Sequence, residues 1–175
     1  MTTLTTAEVQ ALLEALEDEH KAWATYDQVI IDFGPVRPFI NIRDAEARHI
    51  NALTSLFDKY QLAVPPNPWP GKVTRFETLP QACAAAVSAE IANKEMYDRL
   101  ISAIQHNDIL VVLRNLQDAS QHNHLPAFQR CANITSTQKV GENSGGDNKR
   151  RNGCNNRHGG RGRGDGSGCN TKLLP

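Results

Sequence analysis

Residues 39–60 read FINIRDAEARHINALTSLFDKY, and their spacing decides the fold. Phe39, Ile42, Glu46, His49, Leu53, Leu56 and Tyr60 recur at alternating steps of three and four, the period of one helix face. Pro38, a favoured first-turn residue, stands at the start. Two members of this apolar stripe do not belong in a core. Glu46 and His49 lie at i and i+3, which puts their side chains on one face about 5–6 Å apart at Cβ.

Working outward, the segment before this run carries the same signature. Thr5 and Glu8 form a capping-box pattern, and Leu12, Leu16, Glu19, Trp23, Tyr26, Ile30 and Phe33 continue from it to Gly34-Pro35. After Tyr60, the stretch VPPNPWPG breaks the periodicity with four prolines and reads as a long crossover. Thr78 and Gln81 offer a second capping box for a helix with Leu79, Cys83, Ala86, Glu90, Asn93, Tyr97, Leu100 and Ile104 on its stripe. The turn HND follows, and Asn107 is expected to cap a fourth helix bearing Leu113, Leu116, Ser120, His124 and Ala127 inward. Pro126 is expected to kink or fray its last turn. Two helices, a long connection and two more helices predict an all-α, antiparallel four-helix bundle of ferritin-like order, with the crossover between helices 2 and 3.

Each stripe has a polar interruption: Glu19, Glu46 with His49, Glu90, and His124 with Gln121 beside it. A carboxylate taken out of water needs cations, donors or protons nearby, so one inward Glu per helix calls for a shared partner. Bundles that hold two metal ions use a single Glu from two helices and a Glu-x-x-His from the other two. The expected ligands are therefore Glu19, Glu46, His49, Glu90 and His124, with Gln121 a weak sixth. Gln121 stands where a fourth Glu would complete the charge, so the ion near His124 is expected to bind less tightly and to be partly occupied. Tyr26 and Tyr97 each lie seven residues after a Glu, which makes them candidates to donate to metal-bound carboxylates or simply to fill the core. His20, His122, Glu17, Asp18 and Glu95 read as surface groups.

Composition divides the chain into residues 1–131, the bundle, and 132–175, a disordered Gly/Asn/Arg-rich tail. All ten aromatic residues precede residue 129, and ten of the twelve glycines lie between Gly141 and Gly168. The neutral total hides a tail with eight basic and three acidic residues, net +5, and a domain with 11 basic and 16 acidic residues, net −5. Such a tail is solvated, lies on its own acidic domain, or touches an anionic partner such as nucleic acid. Cys83 and Cys131 are expected as small buried apolar groups, and Cys154 and Cys169 with His158 match no zinc spacing. MTTLTTAEVQ lacks a signal-peptide pattern and no apolar run approaches membrane-spanning length, so the expected location is cytoplasmic, with no membrane partner.

EDEHKAWATY, DAEARH, AEIANKEMYDRL and ASQHNHLPAFQRC resemble blocks of the ferritin-like superfamily, in particular its small rubrerythrin-like domains of unknown function, over residues 7–131. Glu19, Ala22 and Tyr26 are similar to the first-helix pattern of rubrerythrin. The resemblance implies the same ligands, two Fe ions with Mn or Zn as alternatives, and ferroxidase-like or peroxidase-like oxidoreductase chemistry with O2 or peroxide. No rubredoxin-like module with four cysteines accompanies it, which argues against a self-contained rubrerythrin peroxidase. The reading leaves room for a homodimer. The competing class is a non-catalytic scaffold or metal-storage module whose basic tail, with Arg161 and Arg163 in RGRG, binds nucleic acid.

Overall fold

A computed structural model describes residues 3–138, with side chains described through residue 133; the expected tail lies outside them from residue 139 on. Helix α1 spans Thr6–Phe33, α2 Phe39–Lys59, α3 Leu79–Ser102, α4 Asn107–Ala119 and α5 Leu125–Gln138, with a π turn at Ser120–His124 joining the last two. The described residues contain no strand. The fourth expected helix is thus a single helical run of α4, π turn and α5, continuing seven residues past the expected bundle limit at 131. Among the described residues no helix is long and apolar enough to cross a membrane.

Helix starts follow the sequence with two amendments. At α1 the capping box is complete: Glu8 N donates to Thr5 Oγ1 at 3.2 Å, and Thr5 N donates to Glu8 Oε2 at 2.9 Å. Gly34 ends the helix at φ +83°, a left-handed conformation that a side chain would resist. At α3 only half of the expected box forms, because Gln81 N donates to Thr78 Oγ1 whereas the Gln81 side chain accepts from Glu77 N instead of Thr78 N. For α4 the cap residue is His106, not Asn107. His106 has no capping bond of its own because its N–H and ring Nδ1 both turn to Glu8 Oε1, at 3.1 and 2.6 Å.

Pro126 also behaves differently from the expectation. The helix does not fray there. Leu125 N–H reaches back five residues to Ser120 O, the π pattern, and α5 continues beyond the proline. A wider turn placed immediately before Pro126 accommodates its missing donor without ending the helix.

Two apolar clusters form the core. One gathers Leu12, Leu16, Leu53, Phe57, Leu100, Ile109, Leu113 and Leu116. The other gathers Val29, Phe39, Ile42, Ala86 and Phe128, with Tyr26 packed edge-on against Phe39 and tilted on Phe128. Burying each Leu or Phe of these clusters contributes about 1.5–3 kcal/mol. Cys83 and Cys131 lie in the second cluster, buried as expected but joined as a disulfide that links α3 to α5. Along each helix the inward polar residues fall between positions of the first cluster and positions of the second: Glu19 between Leu16 and Tyr26, Glu46 between Ile42 and Leu53, Glu90 between Ala86 and Tyr97, and His124 between Leu116 and Phe128.

Candidate metal centre

Glu19 comes from α1, Glu46 and His49 from α2, Glu90 from α3 and His124 from the π turn. The three carboxylates are 3–4% exposed, and His124 is 4% exposed, so these groups have left water almost entirely. They form two clusters whose donor atoms all lie within 4.8 Å of one another: Glu19, Glu46 and His49, and Glu46, Glu90 and His124. Glu46 belongs to both. His49 Nδ1 is 2.8 Å from Glu46 Oε2 and 3.1 Å from Glu19 Oε2. His124 Nδ1 is 3.2 Å from Glu46 Oε1 and 3.6 Å from Glu90 Oε1, and the two imidazole rings stack with centroids 5.5 Å apart. Each cluster therefore offers two carboxylates and one imidazole nitrogen, a donor set suited to a divalent ion.

The tyrosines cross over. Tyr26 of α1 donates to Glu90 Oε1 of α3 at 2.9 Å, and Tyr97 of α3 donates to Glu19 Oε1 of α1 at 2.7 Å. The sequence named no recipient for either tyrosine; seven residues separate each from the Glu on its own helix by two turns along the axis, and each reaches the carboxylate on the facing helix. Burial pushes both phenols well above their ordinary pKa, with the neighbouring carboxylates adding to the effect, so they stay protonated as donors.

Gln121 turns its amide to the backbone of the facing helix. Its amide donates to the Glu90 backbone carbonyl at 2.9 Å and to Ser120 Oγ at 3.3 Å. The expectation that Gln121 and His124 share a face assumed α-helical spacing; in the π turn each residue advances through a smaller angle, which rotates position 121 away from 124. Ser120 takes the inward place and donates to Glu90 Oε2 at 2.5 Å. The sequence placed Ser120 on the inner stripe without assigning it a role at the centre. Asp18 was expected at the surface, yet it lines the cavity beside the centre and accepts from Asn93 Nδ2 at 2.7 Å. Burial raises its carboxyl to about 6, against the Asn93 hydrogen bond and with repulsion from Glu46 and Glu90 adding to it. His20 is buried rather than exposed, and burial lowers its pKa. His122, Glu17 and Glu95 are exposed as expected.

Without metal the cluster balances its own charge with protons. Burial would push His49 and His124 down, but the carboxylates against them raise His49 to about 10 and His124 to about 9. Burial would raise Glu46, but hydrogen bonds from His124 and His49 bring it down to about 2. Glu19 goes the other way, well above its ordinary value, because burial and repulsion from Glu46 outweigh its bond to His49. A metal ion entering either cluster would take the place of the imidazolium proton there.

A cavity of about 580 Å³ opens onto this centre. Glu19, Glu46, Glu90, His49 and His124 line it, and Ala85, Ala89, Met96, Phe76 and Trp69 contribute apolar wall. The crossover supplies Trp69, Lys72 and Phe76, and Lys21 Nζ sits 5.1 Å over the Trp69 ring.

The fold and site together define an all-helical, bundle-like protein with a buried carboxylate/histidine cluster able to hold metal. No family model and no curated protein matches the chain. Among solved structures it is similar to hypothetical protein MJ0754 from Methanococcus jannaschii DSM 2661, with a TM-score of 0.70 and 22% identity over 78% of this chain and 85% of that one. At that identity the likeness establishes the fold alone.

Proposed function

We propose that the chain is a ferritin-like, antiparallel four-helix protein of the rubrerythrin-like kind, that it holds two iron ions, and that it acts as an oxidoreductase towards O2 or peroxide. The observation that carries this reading is Glu46, whose two oxygens face His49 and His124 and which alone belongs to both donor clusters. A merely structural buried Glu needs one partner; a carboxylate shared by two Glu/Glu/His sets is what adjacent ions need. When bound, two ferrous ions supply electrons for reducing O2 or peroxide. The residues around them do the positioning. Tyr97 and Ser120 with Tyr26 hold the Glu19 and Glu90 carboxylates in place. Nδ1 of each imidazole faces the centre, and the two apolar clusters keep bulk water from it along the helices.

Anaerobic Fe2+ titration of the full chain tests this reading. It predicts saturation at two ions per chain, followed by oxidation on exposure to O2 or peroxide. Uptake of two ions with no turnover would favour the metal-storage alternative. Failure to retain any Fe, Mn or Zn would end the metal reading altogether.

A further inference from the structure

We infer that the cavity beside the metal centre takes a small apolar monocarboxylate, whose anionic head supplies an oxygen ligand beyond those of the two donor sets. This rests on the two-metal reading above. Two divalent ions face three carboxylates and two imidazoles that are neutral when they ligate, which leaves one positive charge uncompensated. An unbalanced charge in a buried site is costly, and an anion within reach relieves it.

Among the described residues neither donor set contains a third carboxylate of its own, and the two sets together share three. Gln121 occupies the sequence position for a fourth, but it is neutral and is engaged with the Glu90 carbonyl. Asp18 and Glu14 are the other carboxyls of the cavity, and the Asn93 amide holds the first and Arg99 the second. The space beside the donors is also far larger than a dioxygen molecule needs. At about 580 Å³ it falls in the range of sites for organic ligands, about 300–1,000 Å³. Alanines 85 and 89, Met96 and Phe76 give the wall an apolar character that suits a hydrocarbon or aromatic body rather than a sugar or a phosphate ester. Lys21 and Lys72 also line the cavity and offer an incoming carboxylate a cationic partner.

The test uses the full chain loaded with Co2+, whose visible spectrum reports its ligands, and metal analysis to establish two ions per chain before any ligand is added. Benzoate is the probe and benzamide its neutral counterpart. Benzoate should change the Co2+ spectrum saturably, at one molecule per chain by calorimetry, with an affinity at least about tenfold above that of benzamide. Ala89→Phe enlarges the wall at an exposed position and replaces no donor, so it should keep both Co2+ ions and weaken benzoate by about tenfold or more. A two-Co2+ chain whose spectrum ignores benzoate, or responds equally to benzamide, overturns the proposal while leaving the two-metal reading intact. An effect of benzoate that appears only after Asp18→Asn would assign the fourth place to Asp18 and overturn it as well. A chain that cannot be loaded with two ions brings down the two-metal reading and this inference with it.

Discussion

Replacing Glu46 by Gln keeps its size but removes the charge that both donor clusters use, so Glu46→Gln should lower bound metal from two ions per chain to background in elemental analysis. His124→Ala touches one cluster only and should retain about one ion, in the Glu19/Glu46/His49 set, whereas the exposed Glu17→Ala should retain both. Tyr97→Phe removes the donor to Glu19 and should weaken metal binding by about 10–100-fold with the fold intact, read as a shifted titration midpoint. Gln121→Glu now carries a different expectation from the one its sequence position suggests. It exchanges an amide donor for a carboxylate beside the Glu90 carbonyl, so it should not add metal and should cost about 1–2 kcal/mol in chemical denaturation. A rise in metal content on that substitution would show that position 121 does face the centre. Glu19, Glu46, His49, Glu90 and His124 were legible because each interrupts an apolar stripe. The role of Ser120 and the place of Asp18 were not: a serine on a stripe has no mark of its partner, and an acid on a helix has no mark of the cavity it lines, until the facing helix is known.

At the level of the elements, the π turn decides which side chains of the last helical run reach the centre. Periodicity assumes α geometry; it located His124 on the inner face, where it is buried, but gave no sign that the Gln121 amide binds the Glu90 carbonyl, and Pro126 was the sole local hint that hydrogen bonding there departs from the α pattern. A second element-scale feature lies at the start of α1. Glu8 is fully buried and accepts from Thr5 N, Thr5 Oγ1, Gln105 N, His106 N and His106 Nδ1, tying that end of α1 to the turn between α3 and α4. Burial alone would raise its carboxyl, but these donors, His106 foremost, hold it well below the usual range. The capping-box pattern predicted one of these bonds, that from Thr5 N, and none of those to residues 105 and 106, which lie almost a hundred positions away. Glu8→Ala leaves those donors without a partner and should destabilise the protein by about 3 kcal/mol or more, without altering its metal stoichiometry. Loss of metal in a variant that still unfolds cooperatively would contradict a purely structural role for Glu8.

For the molecule as a whole, the helical order was readable because apolar stripes, proline breaks and capping residues agreed along the described residues. The pairing of Cys83 with Cys131 was not, since a sequence separation of 48 gives no sign of proximity. The centre also makes stability depend on pH in a way that metal should abolish. With folded values raised to about 10 and 9, His49 and His124 stabilise the metal-free protein fully below about pH 6.5, and that contribution is lost as pH rises through about 9–10. Glu19, raised in the fold, adds a penalty in the same direction above about pH 4.5. Glu46, lowered to about 2, stabilises above about pH 4.5 and loses that contribution as pH falls towards 2. Metal-free protein should therefore be most stable near pH 4.5–6.5 and lose on the order of a few kcal/mol by pH 9. The metal-loaded protein should show a flatter profile across the alkaline limb, because ions replace the imidazolium protons, and Co2+ affinity should rise between about pH 6 and 8 as protons are released. An alkaline limb of equal slope with and without metal would mean that the two histidines do not lie at the metal.

The most direct measurement of the central claim is an anomalous scattering map of iron-loaded crystals collected at the iron edge. The account predicts two peaks per chain on either side of the Glu46 carboxylate, one against His49 and Glu19 and the other against His124 and Glu90. A single peak, peaks away from Glu46, or none in crystals grown with excess Fe2+ would contradict it.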